Sequence, residues 1–305
     1  MNTKNERMGR IVMDPTRPTD WQHVLRAGLL CAGLALTGWV SGCAPLSPES
    51  RWQRADALAT QARWHPQRIV TAPFVLRAYV PQPRVRADTL TVYIEGDGLA
   101  WLSPTEISAD PTPRTPVALQ MALRHPDAAV AYLARPCQYV AAADAQHCDP
   151  RFWTSARFAP EVIQATDQAL TTLMQDVGAR QLVLVGYSGG GAVAALVAAR
   201  RKDVVRLVTV AGNLDHAAWT QWHKVTPLSG SLNPADEWEG LREVPQIHLA
   251  GARDTVVPPP LAQAYVDRYP AGQQPQLRVL PGQDHSCCWT NAWPVLAAQV
   301  LPPPD

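Results

Sequence analysis

The chain has 305 residues, 47% of them apolar and 17% charged, and its 27 Lys and Arg against 26 Asp and Glu leave a formal net charge of only +1. Such a balance excludes an electrostatic nucleic-acid binder, which needs a basic stripe to displace counterions from phosphates, and the high apolar fraction excludes an intrinsically disordered chain. The 29 prolines are scattered without a repeat period, so they mark loops and strand ends and not a fibrous structure.

Residues 27–40 form an uncharged apolar run behind Arg7, Arg10, Arg17 and Arg26. The run is shorter than the roughly 20 residues that span a bilayer, and a basic flank followed by a short apolar segment and small residues is the pattern of an export signal. Translation starting at Met8 or Met13 would shorten the flank. The run closes on Val40-Ser41-Gly42-Cys43, which resembles the lipobox of bacterial lipoproteins. That resemblance implies a signal peptide over 1–42, cleaved before a lipidated Cys43, and Ala44 after it implies the outer membrane facing the periplasm. A plain signal with a secreted or soluble periplasmic product is the alternative.

Export would put the later cysteines, Cys137, Cys148, Cys287 and Cys288, where disulfides persist. Four cysteines allow three pairings. Cys137 with Cys148 would close a short loop and add about 2–3 kcal/mol, whereas Cys287 and Cys288 could be free, cross-paired or joined to each other. None of the spacings suits a zinc site.

From Cys43 to residue 67 the expectation is a lipidated N-terminus, a short tether and a helix over 49–62, with Trp52, Ala55, Leu58, Ala59 and Ala62 on one face. Strand-like runs follow at 68–71, 74–80 and 90–94, then an apolar run at 128–133 and a helical pattern at 159–176. Next come Leu182 to Val185, an Ala-rich helix at 189–201, a strand at 204–210 and a helix-poor stretch at 213–243. The series closes with a strand at 246–250, a helix near 259–268, a strand at 277–280 and a helix at 290–300. Continuous apolar strands alternating with helices predict an α/β domain over 68–305, a mainly parallel sheet covered on both faces, with insertions at 134–158 and 213–243.

Between the run at 182–185 and the Ala-rich helix lies Gly186-Tyr187-Ser188-Gly189-Gly190, a G-x-S-x-G nucleophile elbow in strand-turn-helix context. Gly186 and Gly190 let strand and helix approach. A phosphate loop would need Lys followed by Ser or Thr, and a dinucleotide turn would need glycine where Ser188 stands and an acid after the next strand, which ends instead in Ala211-Gly212. A serine hydroxyl needs a base oriented by an acid. Asp254 stands in Gly251-Ala252-Arg253-Asp254-Thr255-Val256-Val257-Pro258 and His285 in Pro281-Gly282-Gln283-Asp284-His285, each just past a strand.

With these motifs the chain resembles the α/β-hydrolase superfamily from about residue 68 to 300. The resemblance implies Ser188 as nucleophile, His285 as base and Asp254 as acid, with Asp215 after the strand that follows the elbow as an alternative acid. Asp284 is expected to face solvent or bond within its loop, and His216, His223 and His248 to be structural. The oxyanion donors would be the amides of Gly189 and of Asp97, the latter in Glu95-Gly96-Asp97-Gly98, where the superfamily usually carries His-Gly and this chain has Glu95. A carboxylate there is harmful if it points inward, so Asp97 is expected to turn outward or pair with an arginine such as Arg135 or Arg157.

The insertion at 213–243, with Trp219, Trp222 and Trp238, would form a small lid over an open cleft; these aromatics, like Tyr139, Phe152 and Trp153 earlier, serve either packing or substrate. The expectation is thus an exported hydrolase of small-molecule or lipid carboxylic esters, membrane-bound through Cys43, with no metal or organic cofactor and no nucleic-acid partner. Thioesterase, peptidase or acyltransferase activity on the same three residues, or a non-catalytic binding scaffold, are the alternatives.

Overall fold

The computed structural model describes residues 47–127 and 129–302, so the apolar run at 27–40 and Cys43 lie outside the described residues. The first described element is α1 (Pro48–Gln61), capped at its N-terminus by the Ser47 hydroxyl, which accepts from the Ser50 amide. Strands β1 (Trp64–Val70), β2 (Val75–Pro81) and β3 (Thr89–Ile94) follow. A small hairpin, β4 (Trp101–Ser103) with β5 (Glu106–Ile107), and the short helix α2 (Val117–Ala122) then precede β6 (Val130–Leu133).

The second half alternates strands and helices: α3 (Pro160–Val177), β7 (Gln181–Tyr187), α4 (Gly189–Ala198), β8 (Val204–Val210), α5 (His216–His223), α6 (Trp238–Leu241), β9 (Gln246–Gly251), α7 (Pro259–Val266), β10 (Gln276–Leu280) and α8 (Trp289–Val300). The main sheet has eight strands in the order β1-β2-β6-β3-β7-β8-β9-β10. Only β2 runs against its neighbours β1 and β6; every other pairing is parallel.

Burial explains why the central strands read as unbroken apolar runs. Leu182, Val183, Leu184 and Val185 of β7 are all solvent-inaccessible, because the sheet is covered on both faces. Successive side chains point to opposite faces, so Leu182 and Leu184 join one core with Ile163 and Leu170 of α3 and Val193 of α4, while Val183 and Val185 join another with Ala55 and Ala59 of α1, Met121 of α2 and Trp293 of α8. In α3 the buried positions Val162, Ile163, Thr166, Ala169, Leu170 and Leu173 repeat at helical spacing, and Gly178 in left-handed conformation ends the helix. Every residue of α4 is buried, which accounts for its lack of any polar face.

Three expectations need correction. The first strand begins at Trp64, not at 68; it pairs only with β2, and an edge position tolerates its polar residues and Pro66. The stretch 213–243 is not helix-poor, since it holds α5, whose N-terminus is capped by the Asp215 carboxylate accepting from the Ala218 amide at 3.1 Å. The Ala-rich helix stops at Ala198. Tyr139, Phe152 and Trp153 of the earlier insertion are buried, with the Trp153 indole donating to the Ser108 carbonyl at 3.0 Å, so they pack. Cys137 is bonded to Cys148, and Cys287 to Cys288.

Candidate active site

Strand β7 delivers Ser188 into a turn with φ 51° and ψ −122°, after which α4 starts at once. A side chain in that backbone region is strained and persists only where its surroundings over-determine it. Here the Ser188 amide donates to the Val210 carbonyl at 2.9 Å, and the Ser188 carbonyl accepts from the Gly191 amide at 2.9 Å and the Asn213 amide at 3.2 Å. A Cβ on Gly186 would run into the carbonyl of Gly190, and one on Gly190 into the carbonyls of Ile94 and Glu95. Both glycines are therefore steric requirements of the turn.

Past the end of β9, Asp254 is buried in a loop that folds back on it: its Oδ1 accepts from the amides of Val256 and Val257, at 2.8 Å each. Its Oδ2 lies 2.9 Å from Nδ1 of His285, and Nε2 of the same ring lies 2.9 Å from Oγ of Ser188. Because a carboxylate can only accept, Nδ1 carries the hydrogen and Nε2 faces the hydroxyl as acceptor. The loop after β10 that carries His285 is itself tied down, since the His285 carbonyl accepts from the Tyr187 hydroxyl at 2.9 Å and from the Trp289 indole at 3.1 Å. Sequence reasoning missed Tyr187, although it stands next to Ser188.

Asp284 stays in its loop, accepting from the amides of Ser286 and Cys287, and those two backbone bonds hold its carboxyl below the usual range. Asp215, the alternative acid, instead bonds Ala218, Asn233 and, at 2.6 Å, Arg268. The structure thus brings His285 to Asp254 and engages Asp215 elsewhere. His248 is buried against Thr209, and His223 contacts the Val256 carbonyl at 2.8 Å.

The loop after β3 approaches the elbow from another direction. Glu95 is buried, and its carboxylate accepts from the Gly96 amide at 3.0 Å, from the Ala118 amide in the first turn of α2 at 3.3 Å, and from the Tyr132 hydroxyl at 3.1 Å. Burial pushes its carboxyl up to about 7, against the opposing pull of the Gly96 and Ala118 amides. The residue that departs from the usual histidine is therefore the bracket that ties the loop to α2.

Asp97 lies against the elbow: a Cβ on Gly189 would meet its carboxylate, 2.5 Å from Cγ. Its Oδ2 accepts from Arg157 at 2.8 Å and its Oδ1 from Arg135 at 3.2 Å, so both arginines named from the sequence hold it. Burial pushes the Asp97 carboxyl up, but Arg157 and Arg135 outweigh that and keep it below the usual carboxylate range. Gln138, which sequence reasoning did not single out, donates to the Gly96 carbonyl at 2.9 Å. Among the described residues, no acceptor bonds the amide of Asp97 or of Gly189; the latter is one of the donors a helix start leaves unpaired. The signal that could have revealed this packing is the run of three glycines after Ser188, of which the elbow itself needs only Gly190.

Among the described residues no group of three or more His, Cys, Asp or Glu side chains is placed to hold a metal ion, and no helix is long and apolar enough to cross a membrane.

No family model and no curated protein sequence matches the chain. Among solved structures it is similar to an alpha-beta serine hydrolase homologue from Coxiella burnetii, at 15% identity over 77% of this chain and 94% of that one, with a TM-score of 0.52. It is similar to the alpha/beta hydrolase GrgF from Penicillium sp. sh18, at 14% identity over 77% and 96%, TM-score 0.53. It is also similar to Est1E from Butyrivibrio proteoclasticus, at 15% identity over 77% and 98%, TM-score 0.50. The mainly parallel eight-stranded sheet and these likenesses make this an α/β-hydrolase fold. At such identities the likeness is one of fold, and function must be argued from the site.

Proposed function

We propose that the chain is a serine hydrolase that cleaves carboxylic esters through an acyl-enzyme on Ser188. The observation that carries this reading is the unbroken relay from the Asp254 carboxylate through the His285 ring to the Ser188 hydroxyl, with both links at 2.9 Å. His285 Nε2 takes the hydroxyl proton as Oγ attacks the ester carbonyl carbon, and Asp254 stabilises the imidazolium that results. The oxyanion is met by the amides of Gly189 and Asp97. Collapse of the tetrahedral species expels the alcohol, which takes the proton back from Nε2. Water then gives a proton to Nε2, attacks the acyl carbon and releases the acid, restoring Ser188.

Labelling with a fluorophosphonate probe tests this. An adduct mapped to Ser188 in the purified protein and absent from Ser188→Ala is expected; a folded protein that takes up no probe overturns the reading. A panel of ester, thioester and peptide substrates then separates the ester assignment from the other reactions open to an acyl-enzyme.

We further propose that the mature chain is exported and anchored by lipid on Cys43, a reading supported by the apolar run at 27–40 and the Val40-Ser41-Gly42-Cys43 sequence. Cys43→Ser is expected to leave an unprocessed or soluble product; the same processed mass in the membrane fraction would rule the anchor out.

A further inference from the structure

We propose that Arg135 and Arg157 are positioning residues that neutralise the Asp97 carboxylate, so that it can peg the oxyanion loop against Gly189 without opposing the negative charge that develops beside Ser188. The inference rests on the reading of Ser188 as nucleophile.

The loop from Glu95 to Gly98 must hold the Asp97 amide where the oxyanion forms, and that amide has no backbone acceptor among the described residues. What fixes residue 97 is its own side chain. The carboxylate packs onto Gly189 at the start of α4 and is held by guanidinium groups 38 and 60 residues further along the chain. The start of α4 favours an anion there as well. The same placement is a hazard, because a carboxylate packed on Gly189, the residue next to Ser188, repels an oxyanion in a site of low dielectric.

Two guanidinium groups to one carboxylate turn that hazard around. Neither arginine is loose: Arg157 Nε donates to the Thr154 carbonyl at 2.8 Å, Arg135 donates to the Arg157 carbonyl, and the Arg135 guanidinium lies 5.3 Å from the centre of the Phe158 ring. Arg135 also belongs to the turn in which Gln138 reaches the Gly96 carbonyl, beside the Cys137–Cys148 bridge. The insertion at 134–158 thus braces the oxyanion loop through a carbonyl and a charge pair.

Four proteins test this: wild type, Arg157→Ala, Asp97→Asn and the double variant. Each is assayed for kcat and KM on p-nitrophenyl butyrate, for the rate of fluorophosphonate labelling at Ser188, and for melting temperature. Arg157→Ala removes the shorter of the two contacts and the net positive charge of the cluster, leaving Asp97 with Arg135 alone at 3.2 Å, and kcat and the labelling rate are expected to fall about 100-fold with KM little changed, comparable to losing one oxyanion donor. Asp97→Asn removes the charge and keeps the shape, so it is expected to lose about tenfold in kcat and, added to Arg157→Ala, to restore about tenfold over that variant, because the negative charge that Arg157 no longer offsets is then gone.

A double variant no faster than Arg157→Ala, or Arg157→Ala at the wild-type rate, overturns the proposal. Asp97→Asn is the arm that does not depend on removing a buried arginine, and a loss there of about 100-fold would make the carboxylate itself the working group and equally overturn it. Absence of labelling in the wild type would be a failure of the nucleophile assignment instead, so the two are told apart.

Discussion

Asp254, which reaches Ser188 through His285, and Asp97, which lies against Gly189, are carboxylates fixed in opposite ways. Asp254 is held by amides two and three residues further on, in its own turn, and needs only its loop and His285 to be in place. Asp97 is held by side chains 38 and 60 residues away, set in an insertion that has to fold and pack first. The Asp254 carboxylate is thus oriented by a short-range turn at a strand end before it meets His285, whereas the Asp97 carboxylate is oriented only by tertiary partners. Damage to the first should therefore act on chemistry alone, and damage to the second on chemistry and stability together.

The largest effect is expected on the relay side. Asp254→Asn keeps the shape of the side chain but stabilises the wrong tautomer of His285, and kcat should fall roughly 10⁴-fold with an unchanged melting temperature. Asp215→Asn is the companion measurement: it should lower the melting temperature through the lost contact with Arg268 and leave kcat near the wild-type value. The reverse result would return the acid to Asp215.

A smaller effect, in free-energy terms, is expected on stability at Glu95. Its carboxyl is raised from an ordinary 4.5 to about 7 by burial, so the folded state binds this proton more tightly than the unfolded chain does. Stability from that difference is fully present below about pH 4.5 and is lost as pH rises through about 7. Relative to Glu95→Gln, the wild type should thus lose at most about 3 kcal/mol across that window. Urea unfolding of both proteins from pH 4 to 8 checks this, and parallel curves would show that the buried carboxyl carries no such penalty.

The smallest expected effect is the most specific to the contrast. Position 189 is the unconstrained fourth residue of the G-x-S-x-G pattern, yet here a methyl group would displace the Asp97 carboxylate. Gly189→Ala should cost roughly 10- to 100-fold in kcat, up to the loss of one oxyanion donor. An unaffected kcat would show that the contact with Asp97 is dispensable.

Much of the fold was legible in the chain because its central strands are buried on both faces and its longer helices, such as α3, show a period. Helix α2, with six residues, and the β4–β5 hairpin, with strands of three and two residues, are too short to display one. The helix α5 is hard to read from the sequence because its tryptophans and histidines resemble loop or lid residues and its cap, Asp215, stands where a catalytic acid could also stand. In the site, Ser188, Asp254 and His285 were located from short motifs at strand ends, and Arg135 and Arg157 were named only as partners that Asp97 would need. Glu95 was seen only as a departure from a pattern, and Gln138 was not seen, since their roles consist of partners distant in sequence.

The sequence by itself determined the order of strands and helices and the placing of a serine, an acid and a histidine at three strand ends. Apolar periodicity and the small residues of a tight turn are local properties, written in consecutive residues. Only the tertiary structure decided that His285 meets Asp254 while Asp215 is taken by Arg268, that Glu95 ties the loop after β3 to α2, and that the insertion at 134–158 holds Asp97 with two arginines. Each of those choices is a competition among charged or hydrogen-bonding groups for partners far along the chain, and burial, which raises the cost of any group left unpaired, settles it only once the sheet has brought them together.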